Sequence, residues 1–401
     1  METIQDIVIV GGGIAGLSLA LALHRVGLRA LVLESYDTLR VTGAAFVTWT
    51  NAWKALDALG VAHSLRQHHT RLSGIIATST EAGVQTAELS YGDHEVRCVK
   101  RKVLLETLAK ELPSNTIRFS SKVVSIEISG FFKLLHLADG SILKTKVLIG
   151  CDGVNSVVAR FLGFKKPSFT NRLAIRGCVD FEENHGFDSK FLQFMGNGRR
   201  YGILPCDATS IYWFFTWSPL HEEDEEIKEN PTKLKEFVLN NLGKVQDKIK
   251  NVIENTKVED IICSPLRIRP PWEIIWKDIT KDNICITGDA LHPMTPDLGQ
   301  GACSALEDSI VLARHLADGF LKGSEMRDEV EYEKIESCLR KYAKERKWRG
   351  IDLITTGYFV GSMQQTSWKF IRFLRDKVFA TFLAGLLLKK ADFDCGQLNN
   401  T

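Results

Sequence analysis

The run Ile7-Val8-Ile9-Val10-Gly11-Gly12-Gly13-Ile14-Ala15-Gly16 sets a G-x-G-x-x-G between an apolar strand and a helix rich in alanine and leucine. That order is the layout of a βαβ unit that holds a dinucleotide. Gly11 is placed to make the tight turn, Gly13 to let backbone amides approach a pyrophosphate, and Gly16 to let the helix lie close on the strand. Ile14 and Ala15 open the helix whose N-terminus faces that pyrophosphate. The second strand, Ala30 to Leu33, runs into Glu34, eighteen positions after Gly16. A carboxylate there accepts hydrogen bonds from both ribose hydroxyls and repels a 2'-phosphate, so NADP is not expected in this unit.

The 401 residues are 44% hydrophobic, enough for two domains or one large discontinuous one with a packed core. A net charge of +2 and the lack of any nucleic-acid motif point away from nucleic acid and toward a small-molecule partner. The nine cysteines are scattered with no C-x-x-C. That argues against a zinc site, or any metal, and against the redox disulfide that flavin disulfide reductases need. With no secretory signal before Gly11, a reducing, cytoplasmic setting fits this cysteine usage.

Helices are predicted from Ile14 to a stop at Gly27, over Asn51 to Leu59, and over Arg101 to Leu112, the last ended by Pro113. Ser73 to Tyr91 reads as extended, and Asp139-Gly140 joins Phe132 to Leu137 and Ile142 to Gly150 as a hairpin. From Arg172 to Trp217 the strands carry aromatics, which begins a second sheet. The charge run His221 to Glu226 reads as a solvated loop ahead of a helix from Thr232 to Leu242. After Pro270-Pro271 the chain returns to a buried strand, Asn283 to Thr287, a glycine-rich loop, and a helix from about Ala302 to Ala317.

The expected architecture is α/β with an α+β insert. A Rossmann-like nucleotide-binding domain takes 1–72, 96–170 and 280–320; an inserted mixed β-sheet substrate domain takes 73–95 and 171–279; C-terminal helices take 321–401. Within the last, Trp368 to Leu388 is a basic amphipathic stretch whose uncharged run is too short to span a bilayer. It reads as packing against the body, with weak membrane-surface contact as the alternative.

A lone G-x-G-x-x-G leaves NAD dehydrogenases, flavoproteins and chance open, and two further segments narrow the choice. Cys151-Asp152-Gly153-Val154-Asn155-Ser156 follows a strand and offers a carboxylate with a tight turn. Gly288-Asp289 through Pro296, Gly299, Gln300, Gly301 and Ala302 follows another strand and opens a helix. Asp289 at a strand end suits a polyol hydroxyl, and the amides of Gly299-Gln300-Gly301 at a helix N-terminus suit an anionic ring edge. A flavin needs both.

These three motifs, in this order, resemble the group A flavin monooxygenases with the p-hydroxybenzoate hydroxylase fold. The phrases Leu33-Glu34-Ser35, Trp49-Thr50-Asn51-Ala52-Trp53 and Ser264-Pro265-Leu266-Arg267 are similar to plant monooxygenases related to zeaxanthin epoxidase and to bacterial salicylate hydroxylase. The resemblance implies FAD as cofactor. It puts Arg101, of Arg101-Lys102-Val103-Leu104, near the flavin, Arg40 beside the ADP ribose, Val123 against adenine, and Asp152 at both FAD and a transient nicotinamide donor. The implied reaction is reduction of FAD by NADPH or NADH, capture of O₂ as a C4a-hydroperoxide, and hydroxylation or epoxidation of a small aromatic or isoprenoid-like substrate. A flavin dehydrogenase or oxidase remains the alternative among enzymes, and a flavin-free protein resembling Rab GDP-dissociation inhibitors the alternative among binding proteins.

No side chain is assigned as catalytic, because the cofactor does the hard step. Trp213, Phe215 and Trp217 share one face of a strand by period-two alternation and either line the substrate pocket or form ordinary sheet core. Arg176 is read either as an anchor for a substrate carboxylate or phenolate or as a surface ion pair. His292 sits in the flavin loop and is read as a hydrogen-bonded structural histidine.

Overall fold

The computed structural model describes residues 4–40, 45–81, 83–196, 198–219, 230–320, 328–364 and 380–398. The charge run His221 to Glu226 and the stretch Trp368 to Phe379 lie outside them.

Strand Gln5–Val10 is buried from Ile7 onward because it lies inside a sheet covered on both faces. It pairs in parallel with Leu31–Leu33 on one side and Ile142–Gly150 on the other, and the latter pairs in parallel with Ile284–Ile286. The register decides where the motifs go. Val10 lies opposite both Leu33 and Gly150, and Gly150 lies opposite Ile286. The chain therefore leaves four neighbouring strands at one edge, into Gly11, Glu34, Cys151 and Thr287. This is the carboxyl edge, where open α/β sheets bind ligands.

The helix Ile14–Arg25 covers one face and packs against Gly301–Phe320, with the Ser18 and Ser309 hydroxyls 2.7 Å apart between them. The hairpin over Phe132–Leu137 and Ile142–Gly150 forms as the Asp139-Gly140 signal predicts, with Gly140 in the left-handed region.

The second sheet runs in the order Ile262–Ile268, Ser168–Asp180, Ser210–Trp217, Arg199–Pro205, Lys190–Gly196, Gly74–Ser79, Gln85–Ser90. Only the pairing of Lys190–Gly196 with Gly74–Ser79 is parallel among them. Helices Pro231–Asn240 and Asp247–Asn255 cover one face through Leu234, Val238, Ile249 and Val252. Helix Asp328–Gln364 packs along Gly301–Phe320, and helix Ala380–Lys390 follows it. No helix among the described residues is long and apolar enough to cross a membrane.

Candidate functional site

At the carboxyl edge, Gly11 has φ +105°, and a Cβ on it would meet the Cys151 carbonyl oxygen at 2.5 Å. Turn and close approach to the neighbouring strand end both demand glycine there. A Cβ on Gly16 would collide with the Gly11 carbonyl oxygen, so the helix touches the loop that precedes it. Gly13 differs, because nothing lies within 4 Å of where its Cβ would be. It is the N-cap of Ile14–Arg25, makes no side-chain cap, and is followed by no acidic residue in the first turn. The helix thus presents its first amides and the positive end of its dipole to open space.

Glu34 Oε2 accepts the Gly12 amide at 2.7 Å and Oε1 accepts the Tyr36 amide at 2.9 Å. Oε1 also accepts the Ser35 hydroxyl at 3.1 Å, so Oε2 is the oxygen that keeps a further lone pair for a hydroxyl. Val123 lies two residues past Ser121, whose amide donates to the Glu34 carbonyl, while Arg40 is exposed with its guanidinium over Tyr36. These three stand at the far end of the glycine loop, outside the main cleft.

That cleft is lined by Gly13, Ile14, Ala15, Arg101, Arg176, Asp289, Pro296, Gly299, Gly301 and Ala302, with Phe46, Val47 and Tyr212. Asp289 opens onto it; desolvation raises its carboxyl above the usual range against the pull of His292, Arg101 and Arg176. Burial likewise lowers the Arg101 guanidinium. Asp152 sits behind the lining, where Oδ2 accepts the Val157 amide at 2.6 Å, the first amide of the short helix Val157–Phe161 that Ser156 caps.

Gln300 turns away from the cleft, its Oε1 accepting from Asn51 Nδ2 at 2.8 Å. Beneath it lies a buried ionic network. His292 Nε2 meets Asp308 Oδ2 at 2.6 Å, Arg346 Nε donates to Asp308 Oδ1 at 2.6 Å, and Arg346 and Arg349 hold Glu307. Asp308 also accepts the Gly288 amide and the Thr287 hydroxyl, both at 2.9 Å. His292 is structural here: it fastens the loop to two helices.

A second, apolar chamber shares Phe46, Val47, Arg176, Tyr212, Pro296 and Gly299 with the cleft, so the two are contiguous. Trp49, Tyr91, Phe191 and Phe214 continue its walls, with Leu387 and Leu388 from the last helix. Trp213, Phe215 and Trp217 do not reach it. They share a face, as their alternation says, but it is the face beneath the two helices, where they pack with Leu234, Val238 and Ile249. The chamber face carries Tyr212, Phe214 and Thr216 instead. Parity follows from Gly177, which leaves room for the Trp213 ring 2.6 Å from where its Cβ would be, and from Gly202, which does the same for Phe191 and Phe214.

Arg176 makes no surface ion pair among the described residues; it stands in the wall common to both spaces. Sequence reasoning missed Arg172, Arg200 and Asp297, which meet from two strands and the Pro296–Leu298 turn, and missed Tyr91 and Trp49. Arg200, next to Arg199 at the head of the apolar run Tyr201 to Pro205, was the available signal.

A model of the FAD-binding domain matches residues 5–333. The chain belongs to this FAD-binding family. Monooxygenase 2 of Arabidopsis thaliana is 54% identical over 405 residues, 99% of each chain. A chloroplastic zeaxanthin epoxidase from an Oncidium hybrid cultivar is 27% identical over 360 residues, 86% of this chain and 53% of that one. The structure of Klebsiella pneumoniae HpxO with FAD and uric acid superposes with a TM-score of 0.81 at 22% identity, covering 98% of both chains, a likeness of fold.

The residues of this FAD-binding protein fit the cofactor. Arg101 Nε and Asp152 Oδ1 are buried without a partner among the described residues. A cationic side chain and an open helix N-terminus at Gly13, donors for a pyrophosphate, line one cleft with a carboxylate at Asp289, an acceptor for polyol hydroxyls.

Proposed function

We propose that this protein is an FAD-dependent monooxygenase that draws electrons from NADH or NADPH and places one atom of O₂ on a small aromatic or isoprenoid-like substrate. The observation that carries the reading is the shared wall: an aromatic chamber opens directly onto the FAD cleft. Bound there, FAD supplies two-electron transfer and the activation of O₂. Gly13, Ile14, Glu34, Arg101, Asp289 and the amides around Gly299 to Ala302 would hold it, with Arg40, Val123 and Asp152 around them.

The chain's own task is to orient the substrate and exclude water. Phe46, Phe191, Tyr212 and Phe214 give the chamber an apolar surface. Burial lifts the Tyr91 and Tyr212 phenols far above neutral, so both stay protonated and serve as hydrogen-bond donors, not bases. No general base is needed from His292, whose Nε2 is committed to Asp308. Only one glycine-rich nucleotide unit is present, which supports a nicotinamide donor that visits and leaves. None of the nine cysteines is joined in a disulfide, which supports a reducing compartment such as the cytoplasm.

Turnover under ¹⁸O₂ with NADH or NADPH and a panel of aromatic acids and isoprenoids tests the reading. Product carrying one ¹⁸O atom is expected. Oxidised product without label, with the oxygen reduced to peroxide, would instead identify a dehydrogenase or oxidase.

A further inference from the structure

Trp49, Trp53, Trp213 and Trp217 are buried, as tryptophans in a packed core are, but three others are not. Trp272 is 62% exposed, Trp276 84% and Trp348 64%. The short helix Pro271–Trp276 is anchored through buried Glu273 and Ile274 and turns Trp272, Ile275 and Trp276 outward. Helix Asp328–Gln364 passes beside it, where Lys347 Nζ donates to the Ile275 carbonyl at 2.9 Å, and the next residue along is Trp348. Single apolar side chains scattered on a surface are ordinary; indoles gathered on two adjoining helices mark a contact surface.

A basic collar adjoins this face. Lys277, the residue after the short helix, donates from Nζ to the Gly163 carbonyl, and the Lys165 amide donates to Glu273 Oε2 at 3.3 Å, so the loop that follows Val157–Phe161 lies against it. There a pocket is lined by Arg160, Lys165, Lys166 and Arg269, with no acid in its wall among the described residues. Arg269 is committed, holding Glu273 at 3.2 Å and the Ala290 and Leu291 carbonyls of the FAD loop. Arg160, Lys165 and Lys166 are exposed, and their side chains form no ion pair among the described residues. Asp278 is an exposed acid on this rim, outnumbered by these three cations together with Lys277 and Lys347.

Indoles favour the boundary between lipid and water, which accommodates both an apolar ring and its N–H, and lysines and arginines beside them reach anionic headgroups. A two-fold dimer through this face would set the collar against its own copy, like charge on like. We infer that the face docks on an anionic lipid surface, with Trp272, Ile275, Trp276 and Trp348 entering the headgroup layer while a lipid phosphate takes the pocket of Arg160, Lys165 and Lys166. The contact lies on the bilayer and does not span it, since no helix among the described residues is long and apolar enough to cross. It uses a part of the chain separate from the basic stretch Trp368 to Leu388, and it holds whether or not the protein transfers oxygen.

The test co-sediments the full-length, FAD-loaded protein with vesicles of phosphatidylcholine alone or with about 30 mol% phosphatidylserine, at about 0.1 M and about 0.5 M salt. Partition onto the phosphatidylserine vesicles is expected to exceed that onto phosphatidylcholine at least about tenfold and to fall with salt. Trp272→Ala combined with Trp276→Ala should lower it at least about tenfold, and Lys165→Gln combined with Lys166→Gln should erase most of the preference for phosphatidylserine. All four side chains are exposed, so both variants should keep flavin and melting temperature. Equal sedimentation with the two vesicles, or none with either, overturns the inference without recourse to any variant. So does undiminished partition of the tryptophan variant, which would assign the membrane contact to another part of the chain. A dimer in light scattering that Trp276→Ala breaks, with no binding to vesicles, would make a second copy the occupant and overturn it as well.

Discussion

Nε2 of His292 lies 2.6 Å from Oδ2 of Asp308, and neither side chain is accessible to solvent. Burial alone would raise the Asp308 carboxyl, but His292 and Arg346 outweigh it and hold it below the ordinary carboxylate range. Since Asp308 also holds the Gly288 amide, the pair couples the FAD loop to helices Gly301–Phe320 and Asp328–Gln364.

Removing one partner from this network leaves another charge buried alone. Asp308→Asn is expected to cost about 3–5 kcal/mol in denaturant unfolding, whereas His292→Gln costs about 1–3 kcal/mol and retains FAD. Because the folded carboxyl is depressed, its contribution is complete above the unfolded value of about 3.9 and fades as pH falls through the folded one. The stability gap between wild type and Asp308→Asn should therefore narrow only in acid.

The glycines of the first loop separate architecture from binding. Gly16→Ala places a methyl group against the Gly11 carbonyl and should lower the melting temperature of the protein with or without FAD. Gly13→Ala meets no protein atom, so thermal stability without FAD should change little while FAD dissociates faster. Asp289→Ala should likewise purify with less flavin. Flavin content by absorbance and melting by calorimetry read the two effects separately.

Neighbouring phenylalanines on one strand should behave as opposites. Phe215→Ala empties core under the helices and is expected to cost about 3–5 kcal/mol with little change in substrate choice. Phe214→Ala opens the chamber floor and should raise KM or release more peroxide per NAD(P)H consumed. Unfolding curves and the ratio of product to NAD(P)H consumed distinguish them.

The alternation of that strand was legible, but its parity was not. Tyr212-Trp213-Phe214-Phe215-Thr216-Trp217 is apolar on both faces because both are buried, one by helices and one by the chamber. Period two then assigns partners to a face without saying which face. The glycine motif, Glu34 and the Asp289 loop were legible for the opposite reason, since each lies next to its own strand and needs only that strand's end to be placed. Arg172, Arg200 and Asp297 lie far apart in sequence, and only the strand order of the second sheet brings them together. Gln300 has a backbone in the loop and a side chain directed to Asn51, a division that a motif does not show.

Lys133 carries a pH prediction of the other sign. It is wholly buried against Tyr332, with Nζ donating to the Lys146 carbonyl at 2.7 Å, and burial lowers it to about 8 despite Asp282 and Glu336. Unfolded, it returns to an ordinary value near 10.5, so between the two values the unfolded chain binds the extra proton and stability rises with pH. Lys133→Met should stabilise the protein at pH 7, and the gain should shrink between pH 8 and about 10.5, as urea unfolding at several pH values would read.

FAD in this cleft is read from the visible spectrum of the freshly purified protein. Flavin bands at ~375 and ~450 nm and release of FAD on denaturation are expected; a colourless protein that added FAD does not reconstitute would show that the cleft holds no flavin.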